Sequence, residues 1–508
     1  MTQGELEKLA LKTGNLFSEL EIRIMSDVAR RIKDAGFSTA SSDWQIRRLE
    51  ELRKAESEIK DWVQETLQKS DEEMEHIFSD EVYEQYYQHS RAYKASGVKM
   101  LPFEENTPLI RLTEAVKSQL SGEYKNIAGS IRGPDGRIQA SPLMTFYRST
   151  LDNAVLDIQS GGFDYGTVLK RTVSRMTNSG LRWIDYDSGV HSRVDVAARR
   201  AVMTGFRQVQ GKINEQVAAD LGTNTYEVSY HVGARPSHQP WQGRVWTMEQ
   251  LQSVCGLGTV TGLHGANCYH DYSPFIPGVS TRTYTDDQLQ EMLDEENTPK
   301  DYYGKSYTTY EALQEQRKME RNMRATRQQV KLLQAGSADE KDVILKKAKY
   351  QGQLQKYADF SKAMHLPEQK QRITQDGLRG RFTPTKTEQK RLEESEKNDK
   401  IKAGIKQAGM RGEITLNPSI PDVSKLSFDD AHVNKERNHG VTELEAKSYI
   451  QNALFSTTKW NGAFTNYYSD KGAAFVNNEN NSIRTAFKRE QYDDVAEAAM
   501  EVLKHGGA

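Results

Sequence analysis

The sequence predicts a multidomain, mainly α protein: long helices around a small irregular α/β centre, then a charged helical linker and a small C-terminal α+β domain with an antiparallel sheet. Three observations predict it. The chain has 508 residues, more than one ordinary core holds. Apolar residues make up 36% and charged residues 28%, a balance that suits elongated helical parts, which expose more surface per residue than a globule does. The apolar spacing also shifts from helical to alternating twice along the chain, which divides it into 1–305 (helical, with a loop-rich segment 226–280), 306–382 (charged helical), 383–409 (linker) and 410–508 (α+β). Net charge is −2, so no field over the whole protein draws it to nucleic acid and any such binding is local.

Taken in order, residues 6–68 repeat apolar side chains at helical spacing, as in Leu16, Leu20, Ile24, Val28 and Ile32. Gly36 breaks this pattern, and the serines with Asp43 before Trp44 offer N-caps for a second helix. "YEQYYQHSRAYKASG" is aromatic-rich, and "GSIRGPDGRIQASP" resembles an exposed loop. Helical spacing resumes at Pro142 and continues to Gly180, a plausible stop. Residues 195–219 form the clearest amphipathic helix, with Ala197, Ala201, Val202, Phe206, Val209, Ile213 and Val217 on one side. In "YEVSYHVGA", Tyr226, Val228, Tyr230 and Val232 alternate with other residues as in a half-buried strand. An irregular segment follows.

Residues 310–365 return to charged helix, with Ala312, Met319, Met323 and Val330 as a thin stripe suited to a partner helix. "RFTPTKTEQKRLEESEKNDKIKAG" has no apolar face and reads as solvated linker. Beyond Met410, Thr442 and Glu445 make a capping box for a helix whose buried face is Leu444, Ala446, Ile450, Ala453 and Leu454. "AFTNYYSDKGAAFVNN" signals a hairpin about the "SDKG" turn. "SIRTAFKRE" is a further strand, with Ile483, Thr485 and Phe487 on one face and Arg484, Ala486 and Lys488 on the other. "YDDVAEAAMEVLKHGG" closes the chain as a helix from Asp493 or Asp494 to Gly506.

No stretch approaches the roughly 18 apolar residues that cross a bilayer, and charges enter the N-terminus too early for a signal peptide, so a soluble cytosolic product with no membrane partner is expected. Cys255 and Cys268 are the only cysteines, which excludes a disulfide framework. His231, His238, Cys255, His264, Cys268 and His270 cluster in the irregular segment, and His231, His238, His264 and Cys268 are the candidate metal ligands there. No second compact pair such as CxxC accompanies them, so the favoured reading is packed polar loops with no metal and no cofactor. A hydrolase built on His231, His238 and His264 would lack acidic ligands and a general base.

Several motifs carry a resemblance. "MTNSGLRWIDYDSG", "RVDVAARRAVMTGFRQVQGKINEQVAADLGT", "YHVGARPSHQPWQGRVW", "GLHGANCYHDYSPFIPG" and "YTTYEALQEQRKMERNMRATRQQ" resemble, in that succession over roughly residues 1–380, the minor capsid protein family of tailed phages and prophages of Gram-positive bacteria. The resemblance implies a virion component present in few copies, made in the host bacterial cytoplasm and contacting portal and capsid proteins. It does not imply catalysis. Residues 410–508 resemble instead the polymorphic-toxin domains of the barnase/EndoU/colicin/RelE-like ribonuclease type, through "AHVNKERNHGVTELEAKSYIQNA", "NYYSDKGAAFVN" and "IRTAFKREQYDD". That implies an RNA substrate and a separately encoded immunity protein.

The residues support this chemistry by a separate route. Metal-independent RNA cleavage needs a base for the 2′-hydroxyl, an acid for the leaving 5′-oxygen and cations over the phosphate. If 430–439 is helical, His432, Lys435 and His439 share one face over about 10 Å, too far for both histidines to touch one phosphate, and His432 is slightly favoured. Lys435, Arg437, Arg484 and Lys488 are candidates for the phosphate, Thr485 for a hydrogen bond to it, and Tyr467 or Tyr468 for stacking a base or supplying an acid. The competing reading is a purely structural protein whose C-terminal domain binds without cutting.

Overall fold

A computed structural model describes residues 3–36, 42–125, 127–132, 138–159, 163–179, 181–184, 191–374 and 376–506. The chain forms two compact units, Met1–Pro384 and Thr385–Ala508. In the first, α1 (Gln3–Gly36) and α2 (Ser42–His76) are the long helices expected, and α1 ends at Gly36 as expected. The proposed cap at Asp43 lies outside the side chains described. A π-helical turn leads to α3 (Val82–Tyr87), α4 (Ser90–Ser96) and α5 (Thr107–Tyr124), which starts with the Asn106 side-chain Oδ1 accepting from Leu109 N–H.

"GSIRGPDGRIQASP" is not wholly a loop. It contributes β1 (Ile127–Arg132) and β2 (Ile138–Pro142), paired antiparallel, while 133–137 lie outside the described residues. Next come α6 (Leu143–Gln159), α7 (Tyr165–Ser179), β3 (Leu181–Ile184) and β4 (His191–Arg193), which complete a sheet of order β2-β1-β3-β4. Gly180, the expected stop, is outside the description.

Helix α8 (Val194–Asp220) is buried nearly all round, packed against α1, α5 and the sheet below. Gly205 makes this possible: a Cβ there would lie 2.7 Å from Val116 Cγ1. A small sheet of order β6-β5-β7 follows, from β5 (Thr225–Val228), β6 (Val245–Thr247) and β7 (Tyr272–Phe275), with α9 (Met248–Ser253) between. Tyr226 and Val228 face inward as expected, but the strand ends there and Val232 is exposed. Helix α10 (Asp286–Asn297) and the hairpin of β8 (Lys300–Tyr302) and β9 (Lys305–Tyr307) lead into α11 (Thr309–Ala335), α12 (Glu340–Ala363) and α13 (Lys370–Ile373).

The partner that α11 needs lies within the chain. Met323, Val330, Leu332 and Leu333 join the core shared by α1, α5, α7 and α8, and α12 covers another side. Much of the rest of its buried surface is polar: Gln328 Nε2 donates to Glu21 and Gln329 Nε2 to Thr177. The charged extension is therefore part of the first unit.

In the second unit, the stretch read as linker forms α14 (Lys386–Gln407), begun by a Thr385/Glu388 capping box. It is polar for most of its length, yet Ile401 and Ile405 enter a core with Met410, Phe455, Tyr468 and Met500. Two isoleucines one turn apart suffice to dock it, a signal too sparse to outweigh 22 mostly charged and polar residues. Each buried isoleucine contributes roughly 1.5–3 kcal/mol. A fragment beginning at Met410 is therefore expected to be about 3–6 kcal/mol less stable than one beginning at Thr385, as read from urea midpoints of the two.

The unit's sheet has six strands in the order β10-β12-β13-β14-β15-β11. These are β10 (Glu413–Leu416), β11 (Ser427–Phe428), β12 (Phe455–Lys459), β13 (Phe464–Tyr468), β14 (Gly472–Asn477) and β15 (Ser482–Lys488); only β11 runs parallel to its neighbour. The hairpin, the capping box of α15 (Glu443–Gln451) and α16 (Asp494–Lys504), capped by Asp493, stand as expected. Leu444 does not: it is 83% exposed, because Ala446, Tyr449 and Ile450 define the buried face of α15. α15 covers one face of the sheet and α14 with α16 cover the other.

Candidate functional site

Two groups of chemically active side chains emerge, one in each unit. In the first, the pairing of Val228 with Tyr272 brings the chain after β5 beside the chain before β7. His238, Cys268 and His270 meet there, all buried. The two Nδ1 atoms are 3.3 Å apart, and Cys268 Sγ is 3.5 Å from that of His270 and 3.9 Å from that of His238. His238 Nε2 lies 2.8 Å from the Thr261 carbonyl, and His270 Nε2 lies 2.9 Å from Gln242 Oε1. That oxygen also accepts from His231 N–H at 3.0 Å, so the amide orientation is set by a backbone donor.

Two of the four candidate ligands are therefore elsewhere. His231 turns its Nε2 to Ser229 Oγ at 3.0 Å, and burial, with Arg207 nearby, pushes its pKa down to about 4. His264 is paired through Nε2 with Asp271 at 3.1 Å, and Arg207 reaches the same carboxylate. Burial pushes the Asp271 carboxyl up, but His264 and Arg207 outweigh it and hold it below the usual range. Burial also pushes His270 down to about 2, and His238 down, so both imidazoles are neutral near neutral pH. Cys255 is a buried free thiol in the same apolar cluster, pushed up to about 12 by burial. Gln242 carries no ligand chemistry of its own, and nothing in its sequence context marks it.

In the second unit, residues 430–439 are not one helix. A π-helical turn spans Ala431–Glu436, then Asn438 (φ 51°) and Gly440 (φ 60°) reverse the chain, and His439 N–H donates back to the Val433 carbonyl. His432 and His439 consequently point to different surroundings. His432 Nδ1 sits 2.7 Å from Glu436, and its backbone N–H donates to Asp429. The His439 ring lies against Phe487, centroids 5.5 Å apart, with Nδ1 buried and lacking a hydrogen-bond partner.

The expected faces of β15 are corrected by a bulge between Phe475 and Val476, opposite Arg484. One extra residue in β15 moves Ile483 to the α15 side with Ala486, while Thr485 and Phe487 face the other way. Arg484 is swung outward and meets Asp429 at 2.5 Å. That ion pair is half exposed and easily exchanged. Lys435 and Arg437 are exposed. Lys488 is half-buried, and its charge acts on Glu445, so it does not share the face of Thr485.

Tyr467 and Tyr468 do not offer a stacking platform. Strand alternation sends Tyr467 into the α15 core and Tyr468 into the α14/α16 core, where it stacks on Phe455 with centroids 4.7 Å apart. Burial pushes Tyr468 up to about 12, partly offset by Asn466 and Thr457. Those two residues were missed. They pair in register with each other, and Phe475 of β14 lies between them and Thr485, so the row crosses four strands with one aromatic among its three polar members, on the face where His439 meets Phe487. An asparagine in mid-strand, a position that disfavours it, was the available signal.

The fold defines a mainly helical unit followed by a separate α+β unit. The family model described as phage minor capsid protein 2 matches residues 1–360, and the chain belongs to that family, hence among the structural proteins of phages. No curated protein and no solved structure matches the chain. Among the described residues, no helix is long and apolar enough to cross a membrane.

Proposed function

We propose that the chain is a minor structural protein at the portal of a phage head, carried in the virion and assembled in the host cytoplasm, whose C-terminal unit is an effector that cleaves RNA without a metal. The observation that carries this reading is the division of the chain. The family match ends at 360, the first unit closes at Pro384, and Thr385–Ala508 has its own two cores and six-stranded sheet. Such a body can be carried by a capsid module without contributing to its core.

Within it, His439 is the preferred acid/base residue in place of His432. Its Nδ1 is buried without a partner, a state that buried polar atoms rarely keep unless a ligand or water completes it. Thr485 shares the strand face of Phe487, against which His439 packs, which supports a hydrogen bond from its hydroxyl to a phosphate oxygen. Arg484, released from Asp429, and the exposed Lys435 and Arg437 supply cations; Lys488 is the weakest of the set because it serves the opposite face. An immunity protein would cover this surface.

The test has two arms. Full-length protein is sedimented with purified particles, and the Thr385–Ala508 fragment is incubated with cellular RNA in EDTA. Association with particles and cleavage lost in His439→Ala support the proposal. Particle association without cleavage leaves the C-terminal unit a binding module, and failure to associate removes the capsid role.

A further inference from the structure

We infer that His238, Cys268 and His270 form a zinc-binding site that staples the loop-rich centre of the first unit. The inference starts from protons. A carbonyl oxygen only accepts, so His238 Nε2 must carry its hydrogen toward Thr261, leaving Nδ1 as a bare lone pair. The same holds for His270, whose Nε2 faces an amide oxygen already fixed by His231 N–H. The two lone pairs then face each other at 3.3 Å with a sulfur beside them; the one Cys268 thiol proton can satisfy only one of them, whereas a cation between the three atoms satisfies both.

The distances fit such a cation. Tetrahedral zinc bonds of about 2.0–2.1 Å to nitrogen and 2.3 Å to sulfur place two ligand nitrogens about 3.3 Å apart and nitrogen about 3.6 Å from sulfur. The three edges here are 3.3, 3.5 and 3.9 Å. The outer shell is also of the kind metal-bound imidazoles use, since each remote N–H is held by an oxygen acceptor that fixes ring and tautomer. Trp241 packs against both rings, at 4.5 and 4.8 Å, and the fourth tetrahedral position is left for a water.

The fold supplies a reason for the ion. Three short strands and long irregular loops share one small apolar cluster around Tyr226, Trp241 and Leu263. Small loop-rich structures of this kind need an added cross-link. Here the ion would tie the 235–242 turn to the strand-leading segment 268–270. On binding, Zn²⁺ takes the lone pairs of both Nδ1 atoms and of the Cys268 thiolate, and the thiol proton leaves to solvent.

The test uses the full chain. Protein produced with zinc in the medium is expected to hold about one zinc per chain by atomic emission. The cobalt-exchanged protein is expected to show the intense visible bands of a tetrahedral site and a thiolate-to-cobalt charge-transfer band. Cys268→Ser and His270→Ala are expected to lose the ion, whereas His264→Gln, in the neighbouring Asp271 pair, keeps it. A wild-type chain that stays metal-free after exposure to zinc, a cobalt spectrum without thiolate charge transfer, or Cys268→Ser retaining a full equivalent each overturns the inference. The wild-type cobalt spectrum decides the matter even where a variant fails to fold.

Discussion

His439→Ala is expected to lower RNA cleavage by the Thr385–Ala508 fragment about 10²–10⁴-fold, the usual contribution of one general acid or base. Its fold should survive, because the half-buried ring makes one tilted ring contact with Phe487 rather than filling a core, an interaction worth about 0.5–1.5 kcal/mol. His432→Ala is the informative comparison. Its Nδ1 is occupied by Glu436 on the turn above the sheet, so its loss should cost less activity than that of His439. Initial rates on one RNA, with circular dichroism melts of each variant, check both statements. Equal rates for wild type and His439→Ala would remove this residue from the mechanism.

Asp376→Ala is expected to destabilise the first unit by about 3–5 kcal/mol, the cost of stranding one partner of a buried ion pair. Arg327 donates to both carboxylate oxygens, at 2.8 and 3.1 Å, and to the Leu378 carbonyl at 2.7 Å, and it lies over the Phe382 ring at 4.2 Å. The side chains are 6% and 1% exposed, so water cannot take the carboxylate's place. The double variant Arg327→Met with Asp376→Leu should recover most of the loss, because an apolar pair of similar volume carries no desolvation penalty. Asp376 lies beyond residue 360, where the family match stops, so a chain cut there should lose at least as much stability, since buried Ile373 and Phe382 go with it. Urea unfolding midpoints measure all three, and an Asp376→Ala change below about 1 kcal/mol would mean the pair is not buried in solution.

What was legible in the sequence follows from how each element is stabilised. α1, α8 and the C-terminal hairpin bury regular apolar stripes or carry turn residues, and spacing alone found them. α11 reads as charged because the partners of its buried polar side chains lie far along the chain, as Gln328 Nε2 donating to Glu21 shows. α14 reads as linker in the sequence because only two isoleucines hold it. The candidate sites failed in a similar way. A single bulge at Arg484 reassigns the faces of β15, and a bulge has no period to detect. The left-handed Asn438 and Gly440 separate two histidines that helical geometry would have aligned. In the centre, the six histidines and cysteines were visible, but which three converge depends on the β5–β7 register.

The central claim is that a capsid protein carries a metal-independent ribonuclease as a separate folded body. The most direct measurement is mass spectrometry of RNA termini after incubation of Thr385–Ala508 with a defined RNA in EDTA. Attack by the 2′-hydroxyl with His439 moving the proton is expected to leave 2′,3′-cyclic phosphate ends. Intact RNA, or 5′-phosphate ends that appear only when a divalent metal is supplied, would contradict it.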